Sequence, residues 1–321
     1  VRASGDRRLE LRTLIDREFV KAFTHPADSV EDIVAVADAA IPLLEELGDD
    51  LGLAKAWWLK SEVHVNACRW GERAENIERA LEHAKRAGDV GEQAALSALL
   101  GQALHYGPTP VPEALARCDD LLTTLASDRT LKAGLQCTMA ALRAMECDFD
   151  EARRLWDQAR AVYEELGLRA RRAGVSLVAA EIELLEGDPE EAVSILRWGC
   201  QTLSELGMLS LRSTIAAFLA DALYTTGAMA EARSFADEAA RDGAPDDVVT
   251  QVMWRVARSK ADGDSRLAEE ANRLAQTTDY PDLKARGLIA LGEVAEARGI
   301  YEAKGNVAAV ERLLAHQTAS S

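Results

Sequence analysis

A turn signature recurs along this chain at a fixed spacing, and no other feature restricts its fold as strongly. Cys147-Asp-Phe-Asp-Glu-Ala152, Gly187-Asp-Pro-Glu-Glu-Ala192 and Gly227-Ala-Met-Ala-Glu-Ala232 align without gaps. A Glu-Ala pair therefore returns every forty residues, at Glu151/Ala152, Glu191/Ala192 and Glu231/Ala232. A second marker, Leu-Gly behind an acidic helix end, stands at Leu47/Gly48, Leu166/Gly167 and Leu206/Gly207, and Gly88 follows Gly48 by forty residues. Self-similarity at one period marks a stack of equivalent supersecondary units.

Glycine tolerates the left-handed backbone that ends a helix, and the Asp or Pro behind it opens the next one. Each period then holds two helices, with one turn inside the pair and another between pairs. Ala152, Ala192 and Ala232 are small enough for the second helix to approach the first closely. Such a hairpin buries its apolar face only against its neighbours, and the result is a solenoid. The spacing predicts about eight pairs, with second helices near 29–47, 72–87, 112–126, 149–166, 189–206, 229–242, 264–277 and 305–316. First helices fill the spaces, beginning near residue 8. Pro108, Pro110 and Pro112 mark a loop, Pro189, Pro245 and Pro281 mark helix starts, and Pro42 inside a helical run should kink it. His316 to Ser321 reads as a frayed tail.

Composition agrees with an all-α chain. Of 321 residues 48% are hydrophobic, only eight are proline, and no run rich in Val, Ile and Thr suggests a strand. The 37 basic and 54 acidic residues give a net charge of −17, which repels phosphate backbones and argues against nucleic-acid binding. The densest basic group, Arg169, Arg171 and Arg172, lies near Glu164 and Glu165 and reads as a solvated helix face. Cys68, Cys118, Cys137, Cys147 and Cys200 are odd in number and form no C-x-x-C pair, which suits small packing residues in a reduced, cytoplasmic setting. No apolar run reaches the roughly 18 residues of a membrane span, and no secretory segment is evident. The chain opens on Val1 rather than Met, and no composition shift divides it. Residues 1–321 therefore read as one helical-repeat domain cut from a longer regulatory polypeptide.

The repeats resemble the tetratricopeptide (TPR) family, whose first helix carries W-x2-L-G-x2-Y and whose second carries small residues. The fullest match runs Ala216-Ala-Phe-Leu-Ala-Asp-Ala-Leu-Tyr-Thr-Thr-Gly-Ala-Met-Ala-Glu-Ala232 and closes on Ala239. An earlier pair offers Trp57, Ser61 and His64, then Trp70, Ile77 and Ala80, but has Lys60 and Arg73 where Leu and Ala are usual. A period near forty exceeds the familiar 34 or so, which calls for longer helices. The resemblance implies a right-handed α-α superhelix. Gly5-Asp-Arg-Arg-Leu-Glu-Leu-Arg, Ala40-Ile-Pro-Leu-Leu-Glu-Glu-Leu-Gly-Asp, Ala80-Leu-Glu-His-Ala-Lys-Arg-Ala-Gly-Asp and Tyr301-Glu-Ala-Lys-Gly-Asn further resemble the C-terminal TPR region of bacterial ATPase-containing regulators, including those with adenylate/guanylate cyclase domains. That resemblance implies a sensor that restrains an ATPase lying upstream.

No catalytic motif stands out. There is no G-x-x-x-x-G-K-[ST] loop, no H-E-x-x-H and no G-x-S-x-G elbow, and His25, His64, His83, His105 and His316 are scattered. Neither enzymatic activity, metal nor cofactor is expected. Acidic pairs such as Glu45/Glu46 and Asp119/Asp120 fit solvated helix faces, while His64, Trp57, Trp156 and Trp198 sit at core-like spacing and read as packing. Function in such a solenoid falls to the concave face of the first helices. The alignment places Trp58, Glu62 and Asn66, then Glu181 and Leu185, then Asp221, Tyr224 and Thr225 on that face. Their mixture of aromatic, amide and carboxylate groups suits a peptide, a partner protein or upstream domains of the same polypeptide. A small molecule that alters the curvature of the solenoid is the alternative.

Overall fold

Aspartate at the head of a helix and a left-handed residue at its tail set most of the boundaries. Asp49, Asp89, Asp128, Asp148, Asp188, Asp247 and Asp264 each accept a hydrogen bond from a backbone N–H of the helix they open. Pro189 and Pro281 occupy the first turn of their helices, where a missing N–H has no cost. Pro245 does not start a helix as expected, because it lies in the turn before the capping Asp247. Two of the left-handed positions are not glycine, for Cys68 and Cys147 hold φ of 51° and 65°.

The computed structural model describes residues 6–24, 30–124 and 128–319, and every regular element among them is helical. His25 lies outside the described residues, as does the side chain of His316. The pairs are α1 (Arg7–Thr24) with α2 (Val30–Glu46), α3 (Asp50–Asn66) with α4 (Trp70–Ala87), and α5 (Val90–Tyr106) with α6 (Val111–Thr124). Next comes α7 (Arg129–Met145) with α8 (Phe149–Glu165). The fifth first helix is interrupted at Val175 into α9 (Arg169–Gly174) and α10 (Ser176–Glu186), before α11 (Pro189–Glu205). Then follow α12 (Leu209–Thr225) with α13 (Met229–Asp242), α14 (Val248–Asp262) with α15 (Ser265–Ala275), and α16 (Pro281–Leu291) with α17 (Val294–Lys304), closed by α18 (Val307–Ala319). The molecule is an all-α helical-repeat solenoid.

The period of forty holds only as far as the sixth pair. Helices of 17 residues give way to α15, α16 and α17 of 11 residues each, so the C-terminal repeats are shorter. For this reason the expected second helix near 305–316 is misplaced. Gly305, at φ 81°, ends α17, and α18 starts behind it. Pro42 stays inside an unbroken α2.

Ala152, Ala192 and Ala232 are fully buried, as close approach within a pair requires. Cys68, Cys118, Cys137 and Cys200 are buried free thiols, and Cys147 is half-buried. His64 packs between helices, its Nε2 3.1 Å from Asn76 Nδ2, and burial pushes its pKa down. The stack curves until late repeats meet early ones. Asn66 donates to Asp246 (3.0 Å), and the Asp279 carboxylate accepts from the N–H groups of Trp70 (2.6 Å) and Gly71 (2.8 Å) at the head of α4. Lys304, at the end of α17, reaches the turn behind α5. These contacts fix which part of the inner face stays open.

Candidate functional site

Successive first helices present equivalent positions at intervals of one repeat. Forty residues beyond Trp58 lie Ala98, Thr138 and Val178, and all four side chains line one cavity of about 440 Å³. Its walls come from α3, α5, α7 and α9/α10, with Tyr163 entering from the end of α8. Leu99, Leu131, Val175, Trp58, Tyr106 and Tyr163 make it largely apolar and aromatic, and no carboxylate among the described residues lines it.

The floor is held by an aromatic cluster. His105 lies 4.3 Å from the Tyr106 ring, and Tyr106 in turn lies 5.0 Å from Trp70 and 5.3 Å from Tyr280. Tyr280 belongs to the returning C-terminal repeats, so chain closure builds the floor. His105 is 3% exposed, with Nε2 3.3 Å from Glu181. Burial raises the phenol pKa of Tyr106 and Tyr163 and pushes the Cys137 thiol up to about 12. A thiol so protonated is a poor nucleophile. Among the described residues no group of three or more His, Cys, Asp or Glu is placed to hold a metal ion.

The groove residues read from the alignment do not all converge on this cavity. Trp58 lines the cavity and donates from Nε1 to Glu62 (3.1 Å), which also faces buried Arg73 at 3.5 Å. Glu181, Leu185, Asp221 and Thr225 line a separate hollow of about 200 Å³ toward the C-terminus. Asp221 there is engaged by Lys260 (2.7 Å) and Arg286 (2.9 Å). Burial acts to raise its carboxyl pKa, and the two cations outweigh that and hold it low. Arg286 also binds Asp282 (2.7 Å), which accepts from the Tyr301 hydroxyl (2.9 Å). Tyr224 lies beneath Lys260 in an open depression, and Asn66 is bound to Asp246. The returning repeats have divided the expected groove.

An outer cleft of about 470 Å³ between α8 and α11 carries Trp156 and Trp198. Its arginines are spent on the protein itself, Arg153 on Glu183 and Glu186, Arg160 on Asp157 and Glu164, and Arg172 on Glu164. The inner cavity is the better candidate.

Sequence reasoning missed Gln102, His105, Gly134, Tyr163 and Arg171. Part of the signal was present, since carrying Trp58 forward by the repeat length reaches Ala98 and Thr138 directly. By its spacing Arg171 reads as part of a solvated basic face. Arg172 does pair with Glu164 and Arg169 with Glu205, yet Arg171 makes no ion pair among the described residues.

Solved structures of similar architecture exist. The apo form of RapI matches with a TM-score of 0.61 at 12% identity, covering 82% of this chain and 88% of that one. A Rap protein complexed with competence and sporulation factor matches with a TM-score of 0.57 at 15% identity, covering 96% and 77%. The likeness is one of fold. No family model matches the sequence, and no curated protein is similar to it.

Proposed function

We propose that this chain is a non-catalytic interaction and regulatory scaffold that takes a partner segment or peptide into the cavity between α3, α5, α7 and α9/α10. The carrying observation is that four successive repeats place an aromatic-lined hollow of about 440 Å³ on their inner face. Its size and lining are those of a recognition pocket. A Rap protein of similar fold has been solved in complex with competence and sporulation factor, which supports use of this architecture for ligand capture. Within a longer cytoplasmic polypeptide the scaffold would serve as the sensor or effector region of a signalling ATPase, its partner segment coming from upstream domains or another protein. The cavity volume also favours a second reading, a small molecule whose binding alters the curvature of the solenoid.

Of the eight groove residues, Trp58 is proposed as a direct contact. Glu62 orients it, while Asn66, Glu181, Leu185, Asp221, Tyr224 and Thr225 serve closure and the C-terminal hollow. Peptides selected by display against the intact chain test this assignment. Trp58→Ala should weaken them about tenfold or more, while Tyr224→Ala leaves affinity unchanged. Loss through Tyr224→Ala with none through Trp58→Ala would move the site to the C-terminal depression.

A further inference from the structure

Tyr163 is 1% exposed, and among the described residues its hydroxyl has no hydrogen-bond partner beyond the thiol of Cys137. The thiol of Cys137 is its near polar neighbour, and thiols are weak partners. A buried hydroxyl with only a weak partner is under-satisfied, so a bound acceptor would be favoured there. Gly134 stands opposite, in the interior of α7. A Cβ at this position would lie 3.7 Å from the Tyr163 hydroxyl, so the glycine leaves open the space that a side chain would fill. Helix propensity does not explain it, because glycine in a helix interior is less favourable than alanine.

The lip of the cavity carries the complementary feature. Arg171 is exposed and makes no ion pair among the described residues, although Arg169 and Arg172 bind Glu205 (2.8 Å) and Glu164 (3.0 Å). In a chain of net charge −17, this cation faces a hollow that no carboxylate lines among the described residues. Its field reaches the deep end, where it opposes the effect of burial on both Cys137 and Tyr163.

Resting on the inner-cavity reading above, we propose that this hollow is a subsite for a carboxylate carried on a small apolar or aromatic body. The carboxylate accepts from the Arg171 guanidinium and the Tyr163 hydroxyl in the room left by Gly134, and the apolar body lies toward Trp58 and Leu99. Arginine binds carboxylates through paired, charge-assisted hydrogen bonds, while the aromatic wall takes up the body. A peptide C-terminus and a free arylalkanoic acid share this chemistry.

Random short apolar peptides presented to the intact chain with a free C-terminus, against the same pool tethered through that end, separate the possibilities. Phenylbutyrate and phenylbutyramide form the small-molecule arm, with binding followed by calorimetry. The free-carboxylate pool or phenylbutyrate should bind, the tethered pool and the amide should bind about tenfold more weakly or not at all, and Arg171→Ala should abolish the difference. Gly134→Leu should block both ligands, with Gly134→Ala confirming that a side chain at this position leaves helicity and melting intact. Equal binding of acid and amide, or no effect of Arg171→Ala, overturns the carboxylate subsite. If Gly134→Leu still blocks in that case, the inner cavity stands. A Gly134→Leu chain that binds every selected ligand as the parent does overturns both readings. Failure of both acids to bind the parent chain also overturns the subsite.

Discussion

The ammonium of Lys304 lies 2.7 Å from the carbonyl oxygen of Gly107, a residue 197 positions earlier in the chain. It donates as well to the carbonyls of Leu104 (2.9 Å) and Thr109 (2.7 Å), so one buried lysine ties the end of α17 to the turn behind α5. The tie holds the floor of the candidate site in place, because Tyr106 sits directly before Gly107.

Lys304→Met should destabilise the chain by about 2–4 kcal/mol, since it strips a charged donor from three inward carbonyls. Burial lowers the lysine pKa from 10.5 to about 8. Above pH 8 the folded chain releases a proton that the unfolded chain still binds, so this group's contribution rises with pH toward 10.5. The gap between parent and variant should therefore widen, by up to about 1.4 kcal/mol per pH unit. Denaturant unfolding of both proteins between pH 7 and 10 reads it, and a constant gap contradicts it.

Asp279→Ala should loosen the same closure. It removes the carboxylate that caps two N–H groups of α4, at a cost of about 1–2 kcal/mol. Combined with Lys304→Met it should raise the radius of gyration in small-angle scattering while helicity is kept. Unchanged dimensions would mean that the repeats stay closed without these ties.

Asp221→Asn leaves Lys260 without its carboxylate and Arg286 with only Asp282, and should cost about 3 kcal/mol near neutral pH. The carboxyl pKa is held below its ordinary value, so its contribution is complete above about pH 4 and is lost as the pH falls through the lower folded value. Parent and variant should converge only in that acid range. Convergence at pH 6 would contradict the ion cluster.

Cys147→Gly should stabilise the chain by about 1 kcal/mol, because Cys147 holds φ 65° where aligned repeats carry glycine. Cys68→Gly relieves a similar backbone at φ 51° but empties a fully buried thiol site, so its gain should vanish. Thermal melting of both variants checks the contrast.

What the sequence made legible follows from what repeats. Gly48, Gly167, Gly187 and Gly227 all adopt positive φ, and so does Cys147, which aligns with Gly187. Packing alanines were equally readable. The ties between Lys304 and Gly107 and between Asp279 and Trp70 were not, since each joins residues about two hundred apart that occur once and carry no period. Those ties decide which stretch of inner face stays open. Asp221 and Asn66 were correctly placed on first helices, yet returning repeats supply them with internal partners. Arg171 was hidden for the opposite reason, because its neighbours' partners lent it an ordinary appearance.

The most direct test is photo-crosslinking of a display-selected ligand to the intact chain, with a photoreactive residue placed in turn at Ala98, at Thr138 and at Asp157 on the outer cleft. Adducts are expected from Ala98 and Thr138 and none from Asp157. Adducts from Asp157 alone would place recognition outside the solenoid and contradict the inner cavity as its site.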